Sequence, residues 1–266
     1  MDGAGTWWWA TRTPAGAATV ALDQHPDGVL ARAWGQGAGA IVDRVPRLVG
    51  SDHAYEVRAH EQRMRDILAR TRGLRLGSTA DVHGSVVGAV LGQVVTRKEG
   101  KRSLRCIMRA YGEPAPGPNS GLTMFPTPEV LSSLSYEELH RHGVERRRAA
   151  TVIEVSRRSK RLTEILSMKH DEAEERLLAV RGVGPWTAAI VMGQAYGDRD
   201  AVPTGDYHLP NTVAWALAGE ARGDDDRMLE LLEPYRPFRR YVVTAIKQSG
   251  IKAPKYGPRT ALRRHL

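Results

Sequence analysis

The sequence predicts a mainly α protein with a small antiparallel β part at its N-terminus. Three observations predict it. Short apolar or alternating runs joined by turn sequences fill the first 35 residues. Helical periodicity takes over after Ser51, and glycine- and proline-containing breaks then punctuate the periodic segments.

The β part consists of Trp7 to Arg12, Ala17 to Asp23 and Val29 to Trp34. Pro14-Ala15-Gly16 and His25-Pro26-Asp27-Gly28 separate these runs as turns. Ala38 to Leu48 follows as a helix with Ile41, Val42, Val45 and Leu48 on one face. Three strands and a helix leave a sheet face uncovered, so residues 1–55 should pack against the remainder. Residues 56–266 are expected to be all-α. Periodicity predicts helices over 56–71, 80–95, 98–111, 128–141, 145–160, 171–179, 185–196, 207–218, 225–233 and 237–249. Either Ser78 or Asp81 is placed to cap the second of these, which carries Val86, Val87, Val90, Leu91 and Val94. It is apolar on most sides and therefore central. Gly112 to Pro118 reads as a connection, and Ile251 to Leu266 as a basic tail without a period. No internal repeat is visible.

The chain has 266 residues, enough for one large or two smaller domains. Lys plus Arg is 39 and Asp plus Glu is 30, a formal charge of +9, and the pI is near 9.9. Such an excess favours a polyanion or an anionic membrane surface. No apolar stretch approaches the roughly 20 residues of a membrane span. Trp7-Trp8-Trp9 lacks the basic segment and the length of a signal peptide. Nucleic acid is the better use of the charge. The single cysteine, Cys106, excludes an intrachain disulfide and a cysteine-ligated iron–sulfur cluster, and fits a reducing cytosol. A monomer in the cytoplasm, associated with the nucleoid, is the expectation. The histidines, among them His140, His142, His170 and His208, show no metal-ligand spacing.

The segment from Leu177 to Ala188 carries the first functional signal. Leu177, Leu178 and Val180 close one helix, Gly182-Val183-Gly184 makes a tight turn, and Pro185 opens the next helix where its missing N–H costs nothing. Glycines permit close backbone approach, and the following helix start offers N–H groups to an anion. An ordinary helix corner would read the same way. The second signal is Asp206, after Pro203-Thr204-Gly205 and before a helix with Leu209, Val213 and Ala216 or Leu217 facing inward. An aspartate there is either an N-cap or a fixed carboxylate available for chemistry.

Leu178 to Ala188 resembles the helix-hairpin-helix of the DNA glycosylase superfamily that carries a Gly/Pro-rich loop and an aspartate. Gly73-Leu74-Arg75-Leu76, Ala89 to Val95, Phe125-Pro126-Thr127-Pro128 and Arg236 to Tyr241 follow the order seen in bacterial DNA-3-methyladenine glycosylase II. The likeness covers roughly residues 56–250. It implies the helix-hairpin-helix DNA glycosylase fold, and a monofunctional enzyme that binds double-stranded DNA, flips a damaged, N-alkylated purine and hydrolyses its N-glycosidic bond. That is the first step of base excision repair.

Residue by residue, the resemblance places Asp206 as the catalytic acid, and Trp186, Tyr207, Ile190 and Lys247 around the base. It places Gly182, Val183, Gly184, Thr187, Gln93 and Val94 on DNA, with Val94 or Gln93 as the wedge that fills the gap. It also implies a sodium or potassium ion held by the main-chain carbonyls of Leu178, Val180 and Val183, and no cofactor for the chemistry. Trp186 occupies the position at which lyase-type relatives carry a Schiff-base lysine, and a tryptophan cannot play that part; core packing is its plainer role. Ile190 and Lys247 stand where aromatic residues are expected, and the additional strand and helix with which the family's small sheet begins are absent before Gly5, so residues 1–55 are expected to form a truncated version of it. Arg97-Lys98 and Lys101-Arg102, just after Val94, are the best placed of the basic clusters for phosphate. Two further readings are a damage-binding DNA module of the same fold without catalysis, and a bifunctional glycosylase/AP lyase that uses another lysine.

Overall fold

A computed structural model of the chain describes residues 5–52, 56–119 and 121–254. The first layer is a meander of β1 (Trp7–Thr13), β2 (Gly16–His25) and β3 (Gly28–Trp34), antiparallel in that order. Its register pairs Trp9 with Val20 and Val20 with Ala33. Helix α1 (Ala38–Val49) covers one face, where Ala18, Val20 and Leu22 meet Ile41 and Val45. Val42, expected on that buried face, is exposed, because the helix touches the sheet along a narrower stripe than its apolar residues allow. On the opposite face Trp8 and Trp34 stack with ring centroids 5.4 Å apart.

The regular structure of the rest is helical apart from a short strand pair, β4 (Glu113–Pro114), inside the segment expected to be a plain connection, with β5 (Thr123–Met124), which lies beyond it. Arg12 of β1 ties the sheet to it through Glu113 and the Phe125 carbonyl. The helices are α2 (Gln62–Arg70), α3 (Val82–Leu91), α4 (Arg97–Tyr111), α5 (Pro128–Ser133), α6 (Tyr136–His140), α7 (Arg146–Arg157), α8 (Ser159–Thr163), α9 (His170–Leu178), α10 (Pro185–Val191), α11 (Leu209–Ala218), α12 (Asp225–Leu232) and α13 (Arg239–Gln248).

Several expected helices are shorter or divided, and four of them for a local reason. Residues before Gln62 run extended, with Val57 and Ala59 packed onto a core cluster. Leu134 is extended and Ser135 starts a new helix with a capping box to Glu138, splitting 128–141. Arg158 ends α7 and divides 145–160. The segment 185–196 ends in a widened turn, Met192–Tyr196, closed by Gly197 at φ +94°. The basic tail lies largely outside the described residues.

The helices form two apolar clusters. The first is built around α3, as its even apolarity predicted: Val82, Val86, Val87, Val90 and Leu91 meet residues of α5, α7, α9 and α10. The second joins Met64 and Ile67 of α2 to Leu209, Val213, Met228, Leu232, Val242 and Ile246 of α11, α12 and α13. Asp81, not Ser78, caps α3 by accepting from the Gly84 N–H at 2.8 Å. At the other end, buried Arg148 of α7 donates to the Leu91 carbonyl at 3.0 Å and to the Gly143 carbonyl at 3.3 Å. It thereby serves one of the carbonyls that a helix end leaves without an intrahelical partner.

Arg148→Met fills much the same volume but withdraws that donor. The expected loss is about 1–3 kcal/mol, read as a lower midpoint in urea unfolding. An unchanged midpoint would show that the Leu91 carbonyl does not need this partner.

Candidate active site

The candidate site lies where the two clusters meet, with α9, α10 and the end of α3 on one side and α11 and α13 on the other. The hairpin between α9 and α10 is a tight turn in which the Val183 N–H donates to the Val180 carbonyl at 2.9 Å. Gly182 adopts φ +90°, and a Cβ there would overlap the Thr151 hydroxyl of α7. Backbone conformation and space therefore both require glycine. Gly184 differs. It precedes Pro185 in an extended conformation, and a Cβ at this position would meet nothing. Its open side is where a ligand of the α10 N-terminus has room.

The first i to i−4 bond of α10 runs from the Ala188 N–H to the Gly184 carbonyl, so the N–H groups of Trp186 and Thr187 precede the helical ladder. The Val183 N–H is engaged inside the turn and its side chain is buried. The Thr187 side chain, expected to meet DNA, is buried as well; only its N–H faces outward from the helix start.

Gln93 explains why. Its amide donates to the Gly182 carbonyl at 2.9 Å and to the Thr187 hydroxyl at 2.8 Å, so the residue after α3 is bonded to the hairpin. Of the two wedge candidates, Gln93 is thus occupied within the protein, and Val94 projects fully exposed at φ +53°. A β-branched residue in that region is strained by about 1–3 kcal/mol. The strain persists because both flanks are fixed: Gln93 by the hairpin, and Thr96 by a capping box with Glu99 at the start of α4. Arg97, Lys98, Lys101 and Arg102 follow on that helix and are exposed.

Trp186, the second residue of α10, lies against Gly92. Its indole N–H donates to Asp206 Oδ2 at 3.1 Å. Asp206 Oδ1 accepts the N–H groups of His208 and Leu209, each at 2.9 Å. The aspartate therefore caps α11 with one oxygen and presents the other to the space beside Trp186; capping and availability for chemistry coexist in one side chain. The turn before it is held by Gly205, at φ +80°, whose N–H donates to Asp225 at 2.7 Å.

Partial burial would raise the Asp206 pKa, but the two backbone donors, Trp186 and the Lys247 charge outweigh it and hold the carboxyl below the usual aspartate value. Lys247, in the last turn of α13, is exposed at its surface, yet close enough for its charge to act on Asp206 and on Arg97. Helix α13 is fixed at its other end by Arg239, which pairs with Asp200 at 2.7 Å. Ile190 is half-buried one turn after Trp186, on the same face of α10. Tyr207, expected in the base pocket, is 86% exposed and meets His208 edge-on at 4.8 Å. The turn gathered onto Asp206 Oδ1 sends the intervening residue outward. Among the described residues no cluster of three His, Cys, Asp or Glu side chains is arranged to hold a metal, and no helix is long and apolar enough to cross a membrane.

Sequence reasoning missed Asp225, Arg148 and the anchoring role of Gln93, and read Arg97 only as part of a basic cluster for phosphate. The partners of Gln93 lie 89 and 94 residues away, and no local pattern announces such a bond.

No family model matches the sequence. A Mycobacterium tuberculosis protein named "Probable bifunctional transcriptional activator/DNA repair enzyme AlkA" is 32% identical over 149 residues, 55% of this chain and 29% of that protein. A Bacillus subtilis protein named DNA-3-methyladenine glycosylase is 23% identical over 64% of this chain and 57% of that one. The chain thus spans between under a third and somewhat over half of the length of these relatives. The solved structure of a 3-methyladenine DNA-glycosylase from Archaeoglobus fulgidus superposes with a TM-score of 0.79 at 20% identity, over 92% of this chain and 87% of that one. An 8-oxoguanine glycosylase/lyase from Clostridium acetobutylicum gives 0.72 at 15% identity, over 94% and 90%. The fold is that of the helix-hairpin-helix DNA glycosylases, and the names of the sequence relatives support the superfamily likeness read from the motifs.

The low Asp206 pKa has a direct test. Its ionisation contributes stability that is present above the unfolded-state pKa and is lost as pH falls through the lower folded-state value. Trp186→Phe removes one stabilising donor, so the Asp206 pKa should rise in a carboxyl-carbon NMR titration. A value equal to that of the wild type would show that the indole N–H does not act on the carboxylate.

Proposed function

We propose that the protein is a monofunctional DNA glycosylase that hydrolyses the N-glycosidic bond of a damaged purine in duplex DNA. The single observation that carries this reading is the bond from Trp186 to Asp206, which ties an ionised carboxylate to the helix opened by the hairpin. The formal charge of +9 and the names of the relatives support it.

The backbone of the hairpin and of the α10 start, at Gly184, Trp186 and Thr187, accepts a phosphate and sets the strand in register without reading bases. Val94 enters the stack as the nucleotide swings out. The flipped base rests against Trp186, with Ile190 and Lys247 at its edges. As the C1′–N bond opens, positive charge develops on the sugar. A carboxylate whose orientation is already fixed stabilises that charge and takes a proton from the attacking water. Because the leaving purine carries away the bonding electron pair and water supplies the new C1′–O bond, no covalent enzyme intermediate forms and the strand stays intact. Trp186 offers no amine at the position that carries the lyase lysine.

The carbonyls of Leu178, Val180 and Val183 would offer a monovalent cation neutral oxygens: Leu178 ends α9, where the helix dipole is negative, and the other two lie in the turn that follows. The ion would bridge the hairpin to phosphate by opposite charge. Replacing sodium and potassium by tetramethylammonium at equal ionic strength should weaken duplex binding severalfold; unaltered binding would remove the ion from the site.

The activity is tested with duplexes bearing defined lesions. Wild-type protein should release a free base and leave sites that break only on alkali treatment. Borohydride should trap no adduct, and a trapped one would make the enzyme bifunctional. Asp206→Asn retains a capping carbonyl but not the charge, and should bind DNA while excision falls by roughly two to four orders of magnitude. Binding to lesions with background turnover by the wild type would identify a damage-recognition module instead.

A further inference from the structure

The outward face of α4 carries a charge pattern that nothing in the fold uses. We propose that this face is a docking surface for one arm of the duplex beside the lesion, with Lys98, Lys101, Arg102, Arg105 and Arg109 following its phosphates. The proposal rests on the part of the glycosylase reading in which Val94 enters a duplex, and it names a surface for the DNA beyond that point.

The helix period sets the pattern. Gly100, Ser103 and Ile107 of α4 are buried, and Leu104 packs against the same cluster as Ile107. At about 100° per residue, the five cations fall within an arc of about 100° on the opposite side of the helix, and all five are exposed. The only acid of α4, Glu99, turns back to accept from the Thr96 N–H and hydroxyl, each at 2.8 Å. Among the described residues the five cations form no ion pair, whereas Arg158, Arg176, Arg227 and Arg239 elsewhere in the helical part each pair with an acid. Lys98 and Arg102, Lys101 and Arg105, and Arg105 and Arg109 stand four residues apart, where like charges repel and weaken a helix. A polyanion laid along the face relieves that repulsion.

The position of the face suits a duplex. Lys98 follows Val94 by four residues, so their Cα atoms lie at most about 14 Å apart. The capping box at Thr96 fixes the start of α4 relative to that exposed point. From Lys98 to Arg109 the helix rises about 17 Å, the length of about five base pairs of B-DNA. Contacts of this kind release counterions from the phosphates and carry no sequence information, so they add affinity for any arm that reaches them.

The test is equilibrium binding of the full chain to a duplex bearing one abasic site, over a range of salt concentrations. Lys98→Gln, Lys101→Gln and Arg105→Gln combined should weaken binding about tenfold or more at low salt, with a slope of log K against log salt shallower by about two to three. Each substitution alone should make it shallower by about one, which keeps the test if the combination does not fold. Lys98→Arg with Lys101→Arg retains the charge and should retain the slope. Arg157→Gln, Lys160→Gln and Arg161→Gln combined remove as much charge next to Ser156, whose contact with His83 lies at the end of α3 remote from Val94, and should leave the slope unchanged. Shortening one arm of the duplex should weaken the wild type and not the α4 variant. An unchanged slope in the α4 variants, or the same change in the remote one, overturns the assignment. So does a loss confined to phosphatidylserine vesicles, which would turn the face towards a membrane surface. Base release from a lesion duplex with an unaltered slope overturns this assignment alone. The expected slopes without base release overturn the glycosylase chemistry and leave the surface assigned, and failure of the wild type to bind duplex overturns both.

Discussion

The Gln93 side-chain amide adds a polar junction between two parts of the chain, the end of α3 and the hairpin, that already share one apolar cluster. By donating to the Gly182 carbonyl and the Thr187 hydroxyl, it fixes the end of α3 against the hairpin. Everything on the site side follows from that junction. Val94 is thrust outward because its neighbour is held inward. Trp186, one residue before Thr187, lies over Gly92, two residues before Val94. The indole then reaches across to Asp206, so the second helical cluster is registered against the first by a chain of polar contacts running from α3 to α11. Arg148 extends the chain in the other direction, into the core of the first cluster, through the Leu91 carbonyl. These polar atoms are satisfied by one another, which is the condition for placing them at partly buried positions.

The division of labour within Asp206 follows from the same economy of partners. An isolated carboxylate near an apolar boundary would titrate upward and lose its charge at neutral pH. Three donors and a nearby ammonium reverse that tendency. The capping bonds also remove rotational freedom from the side chain, so its orientation is set before any ligand arrives. Preorganisation of that kind is what separates a stabilising carboxylate from one that must first reorient.

The architecture was legible from local signals, and the junctions were not. The three strands, the central helix and most helix positions follow from periodicity and from turn residues, because each is decided within a few residues. The division at Ser135 was written in the Ser135–Glu138 spacing, a capping box that continuous periodicity across 128–141 concealed. The exposure of Val42 was not written anywhere local, since the apolar stripe of a helix says nothing about how much of it a three-stranded sheet can reach. Asp206 and Trp186 could be singled out by type and spacing, but the hydrogen bond between them needs α10 and α11 in place. Tyr207 shows the converse limit: the resemblance placed it at the base, and the turn formed by Asp206 itself carries the ring into solvent. Gln93 was readable as a wedge candidate from its place after the central helix, but its bonds to Gly182 and Thr187 were not readable from any local pattern.

Val94 also has an entropic side. A β-branched side chain populates few rotamers, so little side-chain freedom remains to be lost when it is confined. Its left-handed backbone is already set by the flanking contacts, and that cost is met when the protein folds rather than when it binds. A longer, unbranched residue at the same tip would cover more of a stacked surface but would arrive with its torsions unsettled. The loop therefore gives up contact area for stiffness: a short point whose backbone is already set by its flanks.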